Sequence, residues 1–156
     1  MIRIRLPDLP ATEHLGAALA PLLCPGDSIL LDGVLGAGKT AFVRALVRAA
    51  CADPALDVPS PTFTLVQTYA TAGLTMHHFD LWRLDGPAAL EELGWDEARQ
   101  DVVLVEWPDR LGPLRPAEAL AVHLEVAGET ARQATLLGWD ARLRSAGLFT
   151  ENAGLA

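Results

Sequence analysis

Eight consecutive residues, Gly33-Val34-Leu35-Gly36-Ala37-Gly38-Lys39-Thr40, leave little freedom in how the surrounding chain can fold. They fit G-x-x-x-x-G-K-[ST], a loop whose backbone N–H groups converge on phosphate oxygens. At ordinary glycine usage such a match arises by accident in roughly 0.5% of chains this long. The flanks narrow it further. The apolar run Ser28–Asp32 precedes it, and Thr40–Ala50 follows with Phe42, Leu46 and Val47 on one helical face. A strand, a glycine-rich turn and a helix in that order form a phosphate cradle at a helix N-terminus. Gly33, Gly36 and Gly38 allow backbone angles and close approaches that a Cβ would block. Lys39 is placed to reach the β- and γ-phosphates of a nucleotide, and the Thr40 hydroxyl to bind Mg²⁺.

The rest of the chain reads as strands and short helices around this unit. Ile2, Ile4 and Leu6 alternate with arginines, which predicts a half-buried strand. Thr12 is placed to cap a helix carrying Leu15, Leu19 and Leu22, with Pro25-Gly26 as its stop. Residues 51–61 contain Pro54, Pro59 and Pro61 and read as a loop. Phe63–Ala70 and Leu74–Asp80 predict a hairpin turning at Thr71-Ala72-Gly73. Pro87–Leu93 has helical character and stops at Gly94. Asp101–Trp107 is a nearly continuous buried strand, and Leu120–Val126 and Arg132–Leu137 are two late strands. The last ten or so residues read as a short helix and a loose tail. This mixture predicts one α/β domain over residues 1–156: three layers, P-loop NTPase-like, with a parallel central sheet and antiparallel edge strands.

Composition limits the partners. Twenty acidic against twelve basic residues give a net charge of −8, so the chain lacks the basic face needed to hold RNA or DNA unaided. Lys39 is the only lysine. Cys24 and Cys51 have no metal-ligand spacing, and no apolar run reaches the ~18–20 residues of a membrane span. The expected compartment is the cytoplasm.

A phosphate loop needs an acid on the metal side, and two candidates end buried strands: Asp80 and Glu106. One is expected to hold Mg²⁺ directly or through water, the other to orient the attacking water; the spacing does not assign the two roles. Ser60-Pro61-Thr62-Phe63-Thr64 follows the loop's helix, where Thr62 or Thr64 is placed to sense the γ-phosphate or the metal. His77 and His78 are adjacent and face opposite sides of their strand, so core or surface roles are expected for them. Trp107 is a candidate for core, lid or stacking surface. Trp82, Trp95 and Trp139 are expected in the core or at an interface.

Taken together, GVLGAGKTAFVRAL, SPTFTLVQTY, HFDLWRL, ELGW and VLVEWPDRLG resemble, in order and spacing, the TsaE (YjeE) family, small bacterial P-loop ATPases of tRNA threonylcarbamoyladenosine biosynthesis. The resemblance runs from about Thr12 to Arg132. It implies Mg²⁺-dependent ATP binding and slow hydrolysis, in support of the TsaD- and TsaB-type threonylcarbamoyl transferase complex. The tRNA would be held mainly by that complex, with no role for membrane or DNA. Carried over by motif, Gly33, Leu35, Gly36, Ala37, Gly38, Lys39, Thr40 and Ala41 hold the ATP. Thr40 and Glu106 look like magnesium ligands, and Asp80 like a catalytic or metal-supporting acid. Ser60, Thr62 and Thr64 resemble the switch segment, while Thr12 and Arg132 resemble positions near base and ribose. Ala41 departs from the family's common second threonine, and Trp82 from its usual tyrosine. Three other readings share parts of the pattern: a P-loop small-molecule kinase, a GTP switch, and a docking module that binds nucleotide without significant hydrolysis. The chain lacks a second glycine- or arginine-rich lid for the first and an N-K-x-D for the second.

Overall fold

In β2 (Ser28–Asp32) and β5 (Val102–Glu106) almost every residue is buried, which suits strands covered on both faces. They lie side by side and parallel at the centre of a seven-stranded sheet. The structure is a computed structural model and describes residues 1–148; the expected loose tail falls largely outside these residues. Chain order is β1 (Ile2–Leu6), α1 (Leu9–Leu19), β2, α2 (Lys39–Ala50), β3 (Val66–Ala70), β4 (Thr75–Asp80), α3 (Ala88–Glu92) and α4 (Trp95–Ala98). After β5 come β6 (Leu120–Val126), β7 (Arg132–Leu137) and α5 (Asp140–Ser145). Spatial order is β1-β7-β6-β2-β5-β4-β3. The four strands β6, β2, β5 and β4 are mutually parallel. The β1–β7, β6–β7 and β3–β4 pairs are antiparallel. This is the parallel centre with antiparallel edges expected of the P-loop NTPase-like α/β class.

The sheet's two faces form separate cores. Ile29 and Leu31 of β2, Leu104 of β5 and Val122 of β6 pack beneath Leu15, Leu19, Phe42 and Leu46 of α1 and α2. On the other face Leu30, Phe79, Val103 and Val105 pack against Leu90, Trp95 and Leu111. That second layer spans only part of the sheet, since Arg3, Arg5 and Leu137 on β1 and β7 are exposed. Helices α1 and α2 press so closely that a Cβ on Gly16 would lie 2.4 Å from the Phe42 carbonyl oxygen. Among the described residues no helix is long and apolar enough to cross a membrane.

Two local expectations are corrected. The cap of α1 is Asp8, not Thr12: Asp8 is extended and its Oδ1 accepts from Ala11 N at 3.0 Å. Thr12 lies a turn inside the helix and is buried. The strand expected from Phe63 begins at Val66, because Leu65 is left-handed (φ 68°) and Phe63 is 82% exposed. Of the core and interface places open to Trp82, its 45% exposure leaves the second. The short helix α4 was not expected; it starts from left-handed Gly94 (φ 76°), which also ends α3.

Candidate functional site

The three motif glycines all take positive φ: 147° at Gly33, 82° at Gly36 and 108° at Gly38. At Gly33 there is also no room, since a Cβ would sit 2.5 Å from the Leu124 carbonyl oxygen of β6. Ala37 anchors the loop in the core, fully buried, while Leu35 at its tip is 79% exposed. Arg132 reaches across from β7. Its Nε donates to Ala37 O and its Nη2 to Gly36 O, each at 3.2 Å. A trans peptide points its N–H opposite its C=O, so holding Ala37 O turns the Gly38 N–H away from Arg132. Thr12 packs beside Gly38, with its methyl group 3.5 Å from where a Gly38 Cβ would stand.

Lys39 opens α2 and is 5% exposed. Its ammonium donates to Gly33 O and, at 3.1 Å, to Val34 O, and lies 3.8 Å from the centre of the Trp107 ring. Burial pushes its pKa down, against the opposing pull of Glu106, Asp32 and Asp80. Trp107 follows β5 in a left-handed conformation (φ 60°), and its ring meets Trp82 at 4.4 Å between centroids. Strained backbone next to a cleft often marks a functional site.

Strand parity brings the acids together. In register, Asp80 at the end of β4 pairs with Glu106 at the end of β5. Both share the parity of Met76 and Leu104, which face α2. Thr40, in the first turn of α2, donates its hydroxyl proton to Glu106 Oε1 at 2.9 Å, with Oε2 at 3.2 Å. Asp80 has other partners. Its Oδ1 accepts from Trp82 N at 3.0 Å, and its Oδ2 from Ser60 Oγ and Thr62 Oγ1, each at 3.4 Å. The Ser60 and Thr62 hydroxyls are themselves 2.8 Å apart. Asp80 therefore ties the segment after α2 to the end of β4, while Glu106 is tied to the phosphate loop.

These groups surround one cleft of about 310 Å³, lined by Leu35, Gly36, Gly38, Lys39, Thr40, Ala41, Ser60, Thr62, Asp80, Trp82, Arg83, Glu106 and Trp107. Gly33, Ala37, Thr12 and Arg132 support it from behind. Thr64 stands apart, its hydroxyl accepting from Gln67 Nε2 at 3.1 Å. The sequence reading missed Arg83, whose guanidinium lies over the Phe63 ring at 4.8 Å. His78 takes the core place open to it, fully buried, but its contact with Glu106, Nε2 to Oε2 at 2.6 Å, was not foreseen. Parity held the signal for His78: it lies two residues before Asp80, hence on the same face. The donors suit Mg²⁺, a hard cation that takes one or two carboxylates and completes its shell with phosphate and water. Thr40 keeps its oxygen lone pairs while its proton goes to Glu106. Among the described residues no group of three or more His, Cys, Asp or Glu side chains is placed to hold a metal ion.

Comparison with known proteins agrees with this geometry. The family described as Threonylcarbamoyl adenosine biosynthesis protein TsaE matches residues 6–134. A tRNA threonylcarbamoyladenosine biosynthesis protein TsaE from Rickettsia felis is 39% identical over 127 residues, covering 81% of this chain and 74% of the relative. The protein of that name from Nostoc is 36% identical over 142 residues, 87% of this chain and 85% of its own. The Bacillus subtilis one is 33% identical over 126 residues, 80% of this chain and 77% of its own. The crystal structure of Bacillus subtilis YdiB superposes with a TM-score of 0.75 at 28% identity, covering 94% of this chain and 90% of that one. With the family matched over most of its length and the P-loop cleft formed by its own residues, the chain belongs to the TsaE family.

Proposed function

We propose that this protein binds Mg²⁺ and ATP in the cleft beneath Gly33–Thr40 and hydrolyses the ATP slowly, in support of the threonylcarbamoyl transferase complex that modifies the adenosine beside the tRNA anticodon. The observation that carries the reading is the Thr40–Glu106 hydrogen bond beside Lys39, which joins a phosphate loop to an acid on the neighbouring strand. Lys39 would exchange its carbonyl partners and the Trp107 face for phosphate oxygens. The N–H groups of the loop and the positive end of α2 would neutralise charge at the β- and γ-phosphates. Thr40 and Glu106 would hold the ion, which supplies charge neutralisation across the phosphates. Asp80 would orient the water that attacks the γ-phosphorus as its bond to the β,γ-bridging oxygen breaks. Because Asp80 also receives Ser60 and Thr62, the chemistry is coupled to the position of that segment.

Exposed Val34, Leu35, Phe63 and Trp82, on the loop, the segment after α2 and the chain after β4, support a role that depends on partner proteins. TsaD- and TsaB-type proteins fit that role, since a chain of net charge −8 is poorly suited to hold tRNA itself. Work beside tRNA is cytoplasmic. The test is Lys39→Ala: tight ATP binding is expected to be lost, and unchanged affinity overturns the assignment. Glu106→Gln and Asp80→Asn are expected to lower hydrolysis more than binding, and wild-type turnover in both contradicts the chemistry. In a tRNA-modification assay with the partner proteins, multiple turnovers are expected with the wild type and not with Lys39→Ala.

A further inference from the structure

The proposed site contains one buried, polar side chain that the chemistry above does not use. His78 is 0% exposed, and its Nε2 lies 2.6 Å from Glu106 Oε2. Its Nδ1 is also buried and has no hydrogen-bond partner. These two facts settle the proton's place on the ring. A proton on Nδ1 would strand an N–H in the core and set two acceptors against each other at 2.6 Å. A proton on Nε2 instead meets the Glu106 carboxylate oxygen at that distance. His78 therefore donates to Glu106.

The sheet dictates this contact. His78 faces Leu104 in the parallel register, and Asp80 faces Glu106. His78 thus stands one same-face position behind Glu106 and reaches it along the strand. The carboxylate is held from two sides: His78 takes Oε2, and Thr40 donates mainly to Oε1. A glutamate has a broad terminal torsion that two such contacts restrict.

We infer that His78 is a positioning residue, which fixes the Glu106 carboxylate so that Oε1 stays with Thr40, the pair that would hold Mg²⁺. The inference rests on the reading of Thr40 and Glu106 as the metal side of the nucleotide site. Partners that orient a metal-binding side chain typically change metal affinity by about 10–100-fold when removed.

The test is a calorimetric titration of the full chain with ADP, in EDTA and at graded Mg²⁺, for the wild type, His78→Leu and His78→Gln. Leucine keeps the apolar bulk and loses the donor; glutamine returns an N–H near the place of Nε2. His78→Leu is expected to keep its ADP affinity in EDTA and to need about tenfold or more Mg²⁺ for half-maximal tightening. His78→Gln is expected to return toward the wild-type requirement. Wild-type Mg²⁺ dependence in His78→Leu overturns the inference, as does a glutamine variant no better than the leucine one. If the leucine variant does not fold, the glutamine variant decides, a wild-type requirement supporting the inference and a tenfold shift overturning it. A wild type whose ADP binding ignores Mg²⁺ overturns the metal-side reading itself, an outcome distinct from either failure of His78.

Discussion

Gly16→Ala sets two physical effects of opposite sign against each other. On helix propensity alone, alanine in place of an interior glycine stabilises by about 1 kcal/mol. The packing says otherwise. The new Cβ would lie 2.4 Å from the Phe42 carbonyl oxygen, where ordinary contact begins at 3.4 Å. The obstacle is backbone in the middle of α2, so no rotamer change relieves it and α1 must move outward by about that 1 Å difference. Overpacking of this kind costs about 1–3 kcal/mol, and the upper end applies where neither partner can turn aside. Subtracting the propensity gain leaves a net loss of about 2 kcal/mol, or about 4–8 °C in Tm for a chain of this length. Urea unfolding followed by far-UV circular dichroism reads it as a lower midpoint at constant slope. Gly73→Ala is the control: nothing lies within 4 Å of its Cβ, and a change within about 0.5 kcal/mol is expected. A Gly16→Ala protein as stable as the wild type, or more so, refutes the reasoning, because it would mean the two helices separate at no cost.

Three further outcomes are expected. Tyr69 is the only tyrosine, its hydroxyl is buried without a hydrogen-bond partner, and burial raises its pKa above the ordinary 10.0. The folded chain then holds the phenol proton more tightly than the unfolded one. That contribution to stability is full below the unfolded value and is lost as pH rises through the folded one. Absorbance at about 295 nm should show native ionisation later than in urea, and coincident curves would contradict the burial. Arg132→Ala frees the Gly36 and Ala37 carbonyls, and ADP should bind about tenfold more weakly, the worth of one hydrogen bond to a charged group at about 1.5 kcal/mol; an unchanged Kd would remove Arg132 from the support of the loop. Because the Lys39 ammonium rests on Trp107, adding ADP should change tryptophan emission. Trp107→Phe should reduce that change, with Trp82 in the same cleft supplying the remainder, and Trp139→Phe should keep it; the reverse result would show that Lys39 stays where it is.

The local elements were legible wherever a single physical signal was strong. β2 and the phosphate loop announce themselves because positive φ and a missing Cβ demand glycine at Gly33, Gly36 and Gly38. Alternation marked β6 and β7 at the bounds observed. Phe63 and Leu65 have the chemistry of strand residues, yet β3 starts only at Val66. There the backbone turns at Leu65 instead, its N–H bonding to Pro61 O and its C=O accepting from Asp80 N. Thr12 passed for a cap because a threonine before an apolar stripe has the right chemistry; only the chain's path shows that Asp8 already fills that place.

By itself the sequence determined the motif: a loop that cradles phosphate, one lysine for it, a threonine after it, and two acids at strand ends. It could not tell the surroundings of those acids apart, because Asp80 and Glu106 both end buried strands. Sheet order gives them different partners. β5 lies directly beside β2, so Glu106 meets Thr40 at the start of α2. β4 lies one strand further out, and Asp80 meets Ser60 and Thr62 there. His78 was hidden for the same reason. A hydrogen bond between residues 28 apart depends on the parallel register of β4 and β5, and register belongs to the sheet, not to either strand.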